Sequence, residues 1–460
     1  MVRVKRSLAA ATRALAVAAA ALSVPAPCRT AEIRQADPVI VKASKVPFLH
    51  GLRITGFRAF AFKNGAAGPI PFQIDEVTID KNGNGEVFVF TRGQRNRKPN
   101  QGRLAELDEI VFMCKDTGEK AAVENFPYRF DRGAEIEVAD PLTGAKSYAY
   151  LVHSADPENL PASDTDYVQV VGTPGWTAGE YYKVGQSSLE KARKFPNIVD
   201  YFAIRTEAGG NGADVLDRVK FRSRVEALGG TLRFSRNEDS FRIEELASLD
   251  GPVRRITRSR NSVYLALGIT TPPQSYNVTS YFNGYVTPVY IDIPIDLTTI
   301  KGVVRTAYFR STLDFNKNAV GMKYYNPHHT KGILVDGVPS AEEKKIHNEE
   351  FEWMLLAGEK QGAWMMYLVK PPPDQFPLRL NNYLVDDVNS PDPPEEEPGQ
   401  IGNMGFTVAN ILDAKAGTHK ILVYVYFPPY YKPGDEKAYL NIHKHPLQTS
   451  AREFFFPGTQ

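Results

Sequence analysis

Three groups of residues in this chain have the types and spacing to do chemistry. The first is Asp80-Lys-Asn-Gly-Asn-Gly85. Short oxygen side chains at its first, third and fifth positions (Asp80, Asn82, Asn84) can converge on a hard cation, and glycine at the sixth permits a sharp turn. This is the opening half of a calcium loop. Its twelfth position is Thr91, not a bidentate glutamate, and the residues after Gly85 read as a strand. An EF-hand is therefore excluded, and the remaining ligands must come from neighbouring strand ends. Asp75, Glu76, Glu86, Asp108, Glu109 and Asp116 are the candidates for completing a structural calcium site. Asn-Gly-Asn-Gly is equally the signature of a hairpin turn that holds no metal.

The second group is Lys323-Tyr-Tyr-Asn-Pro-His-His329, which collects Tyr324, Tyr325, His328 and His329. Tyrosine and histidine are the residue types that remove a proton α to a carboxyl group, as a polysaccharide lyase requires. Adjacent histidines point to opposite sides of an extended chain, so they rarely share one metal. The third group is basic. Arg254, Arg258 and Arg260 fall on one strand face by period two and could receive the carboxylates or sulfates of an acidic polysaccharide. Both groups also have plain structural readings, as an exposed aromatic loop and as a solvated face paired with nearby acids. Trp176, Tyr181, Tyr182, Tyr276, Tyr281 and Tyr285 could stack on sugars, or simply pack across strands.

The elements that must position these residues are strands. Gly51–Phe62 alternates and ends at the hairpin signal Asn64-Gly65. Runs at 86–90, 108–114, 135–138 and 147–152 follow, then 167–171, 219–225, 230–234, 241–246, 253–269, 290–295 and 303–309. Trp353–Ala357 and Ala363–Val369 form a hairpin, and Lys420–Phe427 is a strong strand. Short helices are expected at Ser187–Phe195 and Ser340–Phe351, each with a capping box. The fold class is mainly β: antiparallel β-sandwiches with a few short helices. Composition breaks suggest an N-terminal sandwich over 37–155, a larger central sandwich over 156–320 and a C-terminal β region over 321–460.

With 460 residues, 42% of them hydrophobic, the chain can bury a large core. A net charge of +2 argues against nucleic acid as a partner. Arg3, Lys5, Arg6 and Arg13 followed by apolar Ala14–Val24 read as a signal peptide over 1–31, which makes the protein secreted or periplasmic. No transmembrane segment is expected in the mature chain. Of the two cysteines, Cys28 belongs to the signal region and Cys114 sits in an apolar run as a packing residue.

At Gln73-Ile-Asp75, Asp80–Gly85, Asp108-Glu-Ile-Val-Phe112 with Asp116, and Leu249-Asp-Gly-Pro-Val-Arg254, the chain resembles exported proteins with the mutarotase-like β-supersandwich. Some of those belong to, or sit near, polysaccharide lyases and other carbohydrate-processing proteins. The resemblance implies a large antiparallel sandwich and a saccharide or polysaccharide partner. It assigns no catalytic residue in this chain. Two functions follow: binding or processing of carbohydrate, with β-elimination on an acidic polysaccharide as its enzymatic form, or a non-catalytic envelope or extracellular structural role with calcium fixing the fold.

Overall fold

The computed structural model describes residues 26–79, 86–93, 100–121, 123–173, 175–188, 199–266, 269–270, 275–287, 289–293, 298, 301–347, 349–370 and 377–455. These residues are mainly β, in several antiparallel sheets, with short helices at Ala26–Gln35, Glu343–Ile346 and Glu436–Lys444. No helix among them is long and apolar enough to cross a membrane.

The N-terminal part is a sandwich. One sheet pairs Pro38–Lys42, Glu109–Met113 and Phe72–Asp75. The other runs Ala66–Pro69, Phe57–Lys63, Lys146–His153, Arg132–Ala139 and Gln448–Phe454. Val39, Val41, Ile110 and Phe112 from the first meet Phe57, Ala59, Ile136 and Leu151 from the second. The second sheet is also buried on its outer face, where Phe60, Phe62, Tyr150 and Phe454 lie against Phe126 and Phe130. Burial on both faces explains why Phe57–Phe62 is nearly continuous in apolar residues. Asn64 and Gly65 take positive φ of 53° and 75° between the paired Lys63 and Ala66, the expected two-residue hairpin turn. Cys114 is buried in this core, and burial raises its thiol pKa to about 12.

The rest is a second sandwich. A twelve-stranded sheet takes strands from Arg92–Gly93, through Phe241–Asp250, Arg255–Ala266 and Ser275–Tyr281, to Gly417–Tyr426, Gly362–Val369, Trp353–Gly358 and Lys323–Tyr325. It therefore draws on all three expected segments, and backbone pairing crosses both expected boundaries. Facing it is a five-stranded sheet ordered Leu232–Arg236, Leu216–Ala227, Val304–Phe315, Gln400–Val408 and Leu380–Asp387. Met404, Phe406, Leu380 and Leu384 of that sheet pack with Leu356, Trp364, Met366 and Val423 of the larger one.

The helices differ in detail from expectation. Ser340–Phe351 contains a single turn, Glu343–Ile346, although Ser340 Oγ does accept from the Glu343 amide at 3.2 Å. Most of Ser187–Phe195 lies outside the described residues. The helix Glu436–Lys444 was not expected; it docks Tyr439, Leu440 and Ile442 onto Trp353, Tyr367 and Tyr426. The helix Ala26–Gln35 reaches it through Arg34, which donates to Asp140 at 2.9 Å and to the His445 carbonyl at 2.7 Å.

Candidate functional site

Three of the segments that carried the family resemblance, at 73–75, 108–112 and 249–254, meet in space. Gln73 Oε1 accepts from the amides of Val253 and Arg254 at 3.0 and 2.9 Å, and its Nε2 donates to Asp75 at 2.8 Å. Arg254 Nε donates to Asp75 at 2.7 Å and its terminal nitrogen to Glu109 at 2.5 Å. The guanidinium lies over the rings of Phe88 and Phe282, 5.2 and 5.8 Å from their centroids. Burial raises the Asp75 pKa against the pull of Arg254. Burial also opposes ionisation of Glu109, but Arg254 and Lys42 together hold its carboxyl below the ordinary range. Arg254 is 2% exposed. It precedes the strand Arg255–Ala266 and ties the two sandwiches together, so it does not share an open face with Arg258 and Arg260. Arg260 pairs with Glu244 across the sheet.

The carboxylates expected around calcium have protein partners. Asp108 accepts from the amides of Val77 and Ala105 at 2.9 and 2.8 Å, Asp116 from the Tyr167 hydroxyl at 2.8 Å, and Glu86 from Lys42 at 2.6 Å. Asp80, Asn82 and Asn84 lie outside the described residues. Among the described residues no group of three or more His, Cys, Asp or Glu side chains is placed to hold a metal ion.

The Tyr–His loop is divided by the period of its strand. Tyr324 is 0% exposed, and its hydroxyl meets Asn382 at 2.9 Å. Tyr325 is buried on the opposite face, 6.2 Å from the Tyr431 ring. Asn326 turns the chain by accepting from the amides of His328 and His329 at 2.8 and 2.7 Å. His328 then contacts the Glu350 carbonyl at 3.0 Å, and His329 contacts Glu349 at 3.3 Å. Six strand steps separate Lys323–Tyr325 from Arg255–Ala266 in the sheet order. At ~4.8 Å a step, that is roughly 29 Å along the sheet. The proton acceptor and the arginines anticipated for elimination therefore do not line one cleft.

A different set does converge, on the outward face of the five-stranded sheet. Alternation along Leu216–Ala227 turns Val219 inward and Arg218, Lys220 and Arg222 outward. Register sets Lys220 opposite Thr312 and Arg222 opposite Arg310; Thr312 then faces Gly405, and Gly405 faces Tyr383. A Cβ at Gly405 would come 2.1 Å from the Ser311 carbonyl oxygen, so only glycine lets the strands close at that point. Lys220 is 0% exposed and lies 2.5 Å from Asp314. Burial raises the Asp314 pKa to about 7, against the attraction of Lys220. Arg222 pairs with buried Glu238. The Arg310 guanidinium stacks on the Tyr383 ring at 4.2 Å, and the His347 ring lies 5.1 Å from the Tyr383 ring. Burial raises the Tyr383 pKa to about 12, so its hydroxyl stays protonated near neutral pH; burial and then Arg310 lower that of His347. Thr312 Oγ1 and Asn403 Oδ1, on residues 1% and 0% exposed, make no hydrogen bond.

Arg222 and Arg310 close on one carboxylate. Arg222 Nε donates to Asp392 Oδ1 at 3.1 Å and Arg310 to Asp392 Oδ2 at 2.8 Å. Lys220 and the Arg222 terminal nitrogen donate to the Asp392 carbonyl at 2.9 and 2.8 Å. This clamp was missed in the sequence, where 219–225 read only as an alternating strand. The signal was present in cations at every outward position, but a solvated strand shows the same pattern.

Fold and site together define an antiparallel double-sandwich protein with an anion clamp on one outer sheet face. No family model and no curated protein matches the sequence. Among solved structures the chain is similar to an alpha-mannosidase from Enterococcus faecalis V583, with 8% identity and a TM-score of 0.43, over 87% of this chain and 41% of that one. The chain thus spans about two fifths of the mannosidase. Neither the activity nor the site of that enzyme transfers to this chain.

Proposed function

We propose that this is an exported carbohydrate-binding protein that takes an acidic polysaccharide on the outward face of the five-stranded sheet. The observation that carries the reading is the clamp: Arg222 and Arg310 hold the two oxygens of one carboxylate, and Lys220 reaches the adjacent carbonyl. Guanidinium groups match a planar carboxylate in two-point geometry, which a uronate offers on every ring. Export rests on the basic and apolar pattern of residues 3–24.

A second reading is a non-catalytic structural protein of the cell envelope, favoured by the closure of the clamp with the protein's own Asp392. Calcium belongs to either reading as a structural ion at Asp80, Asn82 and Asn84. Because Glu86, Asp108, Glu109 and Asp116 are engaged elsewhere, backbone oxygens and water would complete its shell.

Calorimetric titration with oligogalacturonate, alginate and heparin fragments beside neutral glucan and galactan tests the main reading. Binding confined to acidic oligomers and weakened about tenfold or more in Arg310→Gln is expected. No binding to any acidic oligomer would leave the structural role. Absorbance from an unsaturated uronate, read on the same mixtures, would overturn the binding-only reading. For calcium, a melting temperature that rises with added calcium and falls in EDTA is expected; an unmoved curve removes the ion.

A further inference from the structure

We infer that residues 388–399 form a strap over the clamp, and that Asp392 is an internal occupant which a saccharide carboxylate replaces. The inference rests on the acidic-saccharide reading and adds its regulation. The strap is the connection of a hairpin. Strands Leu380–Asp387 and Gln400–Val408 pair up to Asp387 opposite Gln400, and residues 388–399 then fold back over the sheet face. The ends are pinched together: a Cβ at Gly399, which has φ of 91°, would lie 2.4 Å from the Val388 carbonyl oxygen. Lifting the strap therefore leaves strand pairing untouched. Connections this long usually carry function when they have no secondary structure of their own.

The strap is held down by charge. None of its residues belongs to a hydrophobic core cluster. Asp392 meets Arg222 and Arg310, Glu395 lies 3.6 Å from Lys220, and Glu397 lies 3.0 Å from Lys317. The amides of Glu396 and Glu397 donate to Asp217. Pro391, Pro393, Pro394 and Pro398 lack the amide hydrogens that would let the segment join the sheet. Among the described residues, Asp392 is the only carboxylate paired with Arg310. On the same sheet face, Thr312 Oγ1 and Asn403 Oδ1 are buried without a hydrogen bond. An incoming uronate reproduces the Asp392 carboxylate in the clamp and brings the hydroxyls that the aspartate lacks. The exchange is one anion for another, so it costs less than opening an empty, charged seat.

The test uses the full chain, tetragalacturonate and a neutral galactan tetramer. In wild type, hydrogen exchange of the amides within 388–399 should accelerate on saturation with tetragalacturonate and not with the neutral tetramer. Asp392→Asn should bind tetragalacturonate about tenfold tighter, because the bound-competent open form is no longer the minor one. If both proteins bind with equal affinity and exchange in 388–399 is unchanged by ligand, the strap inference is overturned while the clamp stands. Loss of binding in Asp392→Asn would also overturn it, making Asp392 part of the receptor. If no acidic oligomer binds either protein, the functional reading fails and the strap inference falls with it. Should Asp392→Asn fail to fold, the wild-type exchange measurement decides alone.

Discussion

Arg254 and Arg310 are both held by carboxylates in the same molecule, Arg254 by two and Arg310 by one, and what carries those partners differs. Arg254 is gripped by Asp75 and Glu109, both supplied by strands, with Gln73 fixing the backbone around it. Its charge is buried against Phe88 and Phe282, and neither strand-borne partner can leave without breaking a sheet. Arg310 is gripped by Asp392, which arrives on a hairpin connection with no apolar anchor. The difference lies in what carries the partner. A buried arginine with strand-borne partners is architecture, whereas one with a loop-borne partner is addressable from outside.

Substitutions can break that comparison. Arg254→Met should have the largest effect on stability, because it strands Asp75 and Glu109 without their cation; the expected loss is ~3–5 kcal/mol in a urea titration. A loss no greater than that of Arg310→Met would erase the contrast. Gly251→Ala comes next. Its Cβ would lie 2.3 Å from Gln73 Oε1, forcing that side chain off the Val253 and Arg254 amides, for about 1–3 kcal/mol. Asp314 gives a pH signature on the other side of the comparison. Its pKa rises from 3.8 to about 7 on folding, so the folded state binds the proton more tightly. The stabilisation is full below 3.8 and is lost as pH rises through about 7. Asp314→Asn should therefore flatten the decline of the melting temperature across that window; an unchanged slope would remove Asp314 as its source. The smallest stability effect belongs to Arg310→Gln. It should cost roughly 1 kcal/mol or less, since its partner stays near solvent, while lowering oligogalacturonate affinity by about tenfold or more. A large stability loss with unchanged affinity would move Arg310 into the architectural class.

Much of the fold was legible because period two and turn chemistry are local. Asn64-Gly65, the Trp353–Gly358 and Gly362–Val369 hairpin and the strand ending at Tyr426 all follow from them. The helix Glu436–Lys444 was not legible, since its role depends on aromatic rings that come from distant strands. The site was legible only in fragments. Tyr324 has the right chemistry, but strand alternation turns it into the core, and Arg254 is taken by carboxylates about 150–180 residues away in sequence, which only strand pairing places beside it. The outward cations of 216–227 were visible, but Arg310 and Asp392 that complete the clamp come from other strands and a loop.

By itself the sequence determined the β class, the apolar N-terminal pattern, the tight turns and which residues could bear charge, because each of these depends on neighbours along the chain. Only the tertiary structure decided which charges meet. It joined Gln73, Asp75, Glu109 and Arg254 into a closed junction and laid Asp392 across Arg222 and Arg310. Sheet order and register are long-range, and a pairing energy between two side chains exists only once the strands that carry them have been brought into contact.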